Sequence, residues 1–131
     1  MPETSLPDFD AQYGALVKDV FQEQTARSLA AGEDLVALAR AHAARGKPDF
    51  VLAYLVTATL PSDEKRQILA QAFEQRALDA ERIATTMSAE HARPFPLIIL
   101  EARKDRTMAQ QVRNGKMIRP HARAPKPISM Q

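Results

Sequence analysis

The side chains of this sequence that could do chemistry are few and scattered. His42, His91 and His121 lie far apart. None belongs to a His-x-x-x-His or Glu-x-x-His pair, the spacing that sets two metal ligands on one helix face. Cysteine is absent, which removes thiolate metal sites, disulfide frameworks and cysteine nucleophiles together. No serine sits in a Gly-x-Ser-x-Gly turn, and the four glycines, at 14, 32, 46 and 115, are too dispersed to cradle a phosphate. The carboxylate pairs Glu33–Asp34 and Asp63–Glu64 each precede a helical pattern, where a negative charge beside the helix N-terminus accounts for them. The sequence therefore predicts no catalytic group, no metal, no cofactor and no small-molecule substrate.

Two other groups of residues carry more information. Arg76 interrupts an apolar stripe made of Leu69, Phe73, Ala80, Ile83 and Met87, which recur at alternating spacings of four and three. Its stem can pack while its head reaches water. Alternatively it is a polar key in a seam between two copies of the chain, paired with Asp79 or Glu74 of the other copy. The second group is basic. Residues 1–101 hold 10 basic and 15 acidic side chains, whereas residues 102–131 hold 8 basic and 1 acidic. The cations are Arg103, Lys104, Arg106, Arg113, Lys116, Arg119, Arg123 and Lys126.

Such a cluster suits an acidic protein surface or the phosphates of a nucleic acid. It contains no aromatic residue to stack on bases and no base-reading motif, so sequence-specific recognition is not expected. The first expectation is thus a non-catalytic protein–protein interaction module, an adaptor or small subunit, with homodimerisation favoured. Non-specific contact with nucleic acid is the alternative.

These residues need elements to position them. Alanine-rich composition, 5% aromatics and few β-branched residues predict an all-α chain. A first helix is expected over about 10–30, its inner face formed by Tyr13, Leu16, Val17, Val20, Phe21 and Leu29. A second runs from Glu33 to Gly46, with Leu35, Leu38, Ala39 and His42 inward. A third, about 49–60, is apolar nearly all round and ends at Pro61. Ser62 is the expected N-cap of a long helix over about 63–89, roughly 40 Å in length. Its far end must pack on a second copy or on the next segment, because its neighbours are short.

After a linker, 91–96, Leu97-Ile98-Ile99-Leu100 opens a fifth helix to Arg113, with a short strand at 97–100 as the lesser reading. Asn114-Gly115 ends it. The organisation is a single bundle of about five helices over 1–114 and an extended arm over 115–131, punctuated by Pro120, Pro125 and Pro127. Met117, Ile118, Ile128 and Met130 are the arm's apolar anchors. The longest nearly apolar run, 50–60, is 11 residues, against about 20 for a membrane span. The acidic N-terminus lacks a secretory pattern. A soluble, cytoplasmic protein with no membrane contact is the expectation.

Overall fold

The computed structural model describes residues 8–14, 17 and 19–116. Six helices form, and no strand occurs among these residues: α1 (Phe9–Tyr13), α2 (Asp19–Ala30), α3 (Leu35–Ala44), α4 (Pro48–Leu55), α5 (Ser62–His91) and α6 (Pro96–Arg113). The chain is an all-α single-domain bundle. The arm beyond Lys116, with Arg119, Arg123, Lys126 and the four apolar anchors, lies outside the described residues, as does Leu16.

Glycine sets three of the helix ends. Gly32, Gly46 and Gly115 all have φ near +70°, and each opens the same double hydrogen bond back into the preceding helix. At Gly46, for example, its own N–H donates to the Ala43 carbonyl and the Lys47 N–H donates to the His42 carbonyl. Gly46 has a second reason to lack a side chain, since a Cβ there would meet the Arg76 backbone nitrogen at 2.9 Å. The α3–α4 turn thus lies directly against α5. Asp34 starts α3 by accepting from the Val36 and Ala37 N–H groups at 3.0 and 3.2 Å.

The helix expected over 10–30 is two helices. Asp8 caps α1 by accepting from the Ala11 N–H, and Gly14 closes it. Of the expected apolar face, Tyr13 and Val17 are buried, and the side chains of Val20 and Phe21 lie outside the described residues. Leu29 is exposed, and Thr25 is buried instead, its hydroxyl donating to the Ala53 carbonyl. The helix expected over 49–60 stops at Leu55. Val56, Thr57 and Thr59 are β-branched and lose rotamer freedom in a helix, and Leu60 is held extended by Pro61. Residues 97–100 are helical, opened by Pro96 at the first turn.

Ser62 is the first residue of α5, and its side chain does not cap the helix. Its hydroxyl accepts from the Phe9 N–H at 2.9 Å and donates to Asp8 at 3.1 Å. This fastens α1 to the start of α5. Phe9 and Tyr13 enter the core, and α1 covers Lys65, which pairs with Asp10 at 2.7 Å, and Arg66, which donates to Gln12 at 3.0 Å. Gln12 and Tyr13 also donate to the Gly115 and Lys116 carbonyls at the end of α6. One five-residue helix therefore ties the first turn of α5 to the last turn of α6.

Helices α1, α3 and α4 pack on the first half of α5 and α2 packs on α4 and α3, with Val51, Leu52, Leu55, Leu69 and Phe73 in the core. α6 runs back antiparallel along α5. Thirty residues at 1.5 Å rise give α5 a length of about 45 Å. The small body covers only its first half.

Candidate interaction surface

Two glutamates on α5 and two arginines on α6 set how the hairpin pairs. Glu74 and Glu81 are two turns apart, as are Arg106 and Arg113, and antiparallel pairing brings them together. Arg113 forks onto Glu74 at 2.6 and 2.8 Å, and its Nε donates to Gln67 at 3.0 Å. Arg106 forks onto Glu81 at 2.6 and 3.1 Å. Hydrogen bonding from each guanidinium, reinforced by its charge, holds both carboxyls below their usual range and raises both arginines.

Between these pairs, Arg76 forks onto Asp105 at 2.8 and 3.0 Å and lies over the Phe73 ring at 5.4 Å. Arg76 thus has a partner within its own chain. Asp105, which the sequence reading passed over, is the single acidic residue of the basic stretch 102–131. That oddity was the available signal.

Of the five residues of the basic set that are described, three are therefore engaged. Arg106 and Arg113 face α5, and Lys104 pairs with Glu101 at 3.3 Å. Arg103 and Lys116 are exposed. The apolar stripe of α5 divides too. Leu69 and Phe73 are buried in the chain's own core, Ala80 and Met87 are half-buried, and Ile83 is exposed. Any seam with a second copy begins beyond Arg76.

Past the Glu81–Arg106 pair the hairpin changes character. Ala84 is the one buried residue of α5 after Ala77, and no residue of α6 before Ala102 is buried. Leu97, Ile83 and Leu100 are 75%, 52% and 46% exposed. Ala84, Thr85 and Ser88 of α5, with Leu97, Leu100 and Arg103 of α6, line a groove of about 690 Å³. Its end is closed by the linker. There Ala92 turns the chain with φ 55°, and Phe95 sits between Arg93, 4.5 Å over its ring, and His91, 5.7 Å away edge-on. An apolar groove with a polar rim is a form that receives protein segments.

The remaining titratable groups serve packing. His42 stacks between Phe50 and Tyr54 at 5.0 and 5.6 Å. Burial, and then the charges of Arg45 and Lys47, lower its pKa. Asp34 caps α3, and Asp63 leans toward Arg66 at 3.5 Å. Among the described residues, no three His, Asp or Glu side chains converge to hold a metal ion, and no helix is long and apolar enough to cross a membrane. Comparison of the chain with protein-family models, curated proteins and solved structures finds no match.

Proposed function

We propose that this chain is a non-catalytic protein–protein interaction module, an adaptor or small subunit, that binds through the free end of its α5–α6 hairpin. The observation that carries this reading is the exposure of Leu97 and Leu100 along one groove, on a hairpin whose other half packs against the body. Exposed apolar patches of this kind mark interaction sites. We place the contact on the apolar groove, with Arg103 at its rim, ahead of the basic C-terminal segment, whose Arg119, Arg123 and Lys126 lie outside the described residues. Two of its four helical cations are already held by glutamates of α5, and freeing them would break the hairpin's own pairing.

The alternative, phosphate contact with nucleic acid, draws on Arg103, Lys104, Lys116 and the arm beyond. Anisotropy of labelled DNA and RNA across a salt series tests it. A log–log slope near zero removes this alternative, while a steep one, about 0.9 per phosphate neutralised, supports it.

The binding reading is tested by placing a photo-cross-linking amino acid at Leu97 and, as a control, at Leu29, an exposed leucine of the body. A discrete protein adduct from position 97, absent from position 29 and lost on adding Leu100→Glu, is the expected result. Equal adducts at both positions, or none at 97, would overturn it.

A further inference from the structure

We infer that the partner received by this groove is a second copy of the chain, the two hairpin ends packing as an antiparallel four-helix bundle about a twofold axis. This rests on the reading of the hairpin end as a binding surface and names its occupant.

The hairpin end lacks a core of its own. Two antiparallel helices have no interior, and beyond Ala77 this pair buries only Ala84 on the α5 side. Amphipathic helices are stabilised by covering their apolar faces, and a four-helix bundle encloses such faces in a core between them. Another copy of the same hairpin supplies two helices whose apolar stretch has the same length.

The shape of the groove suits a copy of itself. A twofold interface places one patch against itself, so that patch must hold both a projection and the recess that receives it. This one does. Leu97 and Leu100 project from α6, while Ala84, Thr85 and Ser88, all small, floor the recess on α5. Leucines of one copy seated over the small residues of the other fill both recesses at once.

The charge of the hairpin end is balanced. Residues 79–104 carry four acidic side chains (Asp79, Glu81, Glu90 and Glu101) and four basic ones (Arg82, Arg93, Arg103 and Lys104). Their net charge is zero, so two such ends meet without net repulsion. A phosphate polymer or an acidic peptide would call for a clear positive excess here. The face is about 20 Å long and two helices, about 20 Å, wide. That is about 400 Å² a copy, the size of a weak, transient contact, so the dimer forms reversibly with concentration.

The test is sedimentation of the full chain from about 1 to 300 µM. The mass should rise from one 14.5 kDa chain toward two. Leu97→Glu with Leu100→Glu should stay at one chain throughout with unchanged helicity, since both residues are solvent-exposed and their replacement leaves the core intact. The absence of cysteine makes a second readout clean: Leu97→Cys chains mixed with Ser88→Cys chains should oxidise to the mixed disulfide.

A chain that stays monomeric throughout overturns the second copy as partner, as does a dimer untouched by the leucine changes. In either case an adduct from the cross-linker at position 97 to a different protein keeps the binding reading, and no adduct overturns both.

Discussion

Arg76 sits in an apolar stripe without disturbing it because α6 delivers Asp105 to the same place. Asp105 is buried and Arg76 partly exposed, so removing the acid strands a guanidinium that still has some access to water. Asp105→Ala should destabilise the chain by about 2 kcal/mol. The double change Arg76→Met with Asp105→Leu should cost less than either single change, as chemical denaturation would show. The Glu74–Arg113 pair makes a pH prediction of fixed sign. The carboxyl is held below its unfolded value, so its contribution is complete above the carboxylate range and is lost as pH falls through it, roughly pH 5 to 3. The stability gap between wild type and Glu74→Gln should therefore close on acidification, and a gap that widened would contradict the pairing. The role of Arg76 was half legible in sequence. Its position in the stripe was plain, but its partner lies 29 residues away, and only the antiparallel return of α6 brings the two together.

At the scale of elements, helix ends separate what sequence encodes locally from what packing decides. Glycine stops at 32, 46 and 115 were readable because the left-handed backbone they adopt is costly for other residues. Their consequences differ with surroundings. At Gly32 a Cβ would meet nothing within 4 Å, whereas at Gly46 it would press on the Arg76 backbone. Gly32→Ala should cost about 1 kcal/mol, the conformational penalty alone. Gly46→Ala should cost about 2–4 kcal/mol, because neither the turn nor α5 can move aside cheaply. Equal losses in thermal melts of the two variants would refute the close approach of α3–α4 to α5. The full extent of α5 and α6 followed from long runs free of proline and glycine. The division between α1 and α2 did not, since Gly14 alone does not end a helix. What fixes the break is the docking of α1 across Lys65, Arg66 and the end of α6, contacts 53 to 103 residues distant in sequence.

The whole molecule is a lever: a packed body at one end of α5 and an incompletely packed hairpin at the other. The sequence showed that a helix this long outreaches its neighbours, and α6 covers one side of the excess. It did not show that the apolar surplus would collect at the linker, because exposure depends on which faces the body has already used. The central claim is that this end is incomplete without a partner, and amide hydrogen exchange on dilute chain, below about 1 µM, measures that directly. Amides of 83–91 and 98–101 should exchange on the order of a hundredfold faster than those of 68–73 in the core. Protection at the hairpin end equal to that of the core would mean it is complete by itself, and the claim would fail.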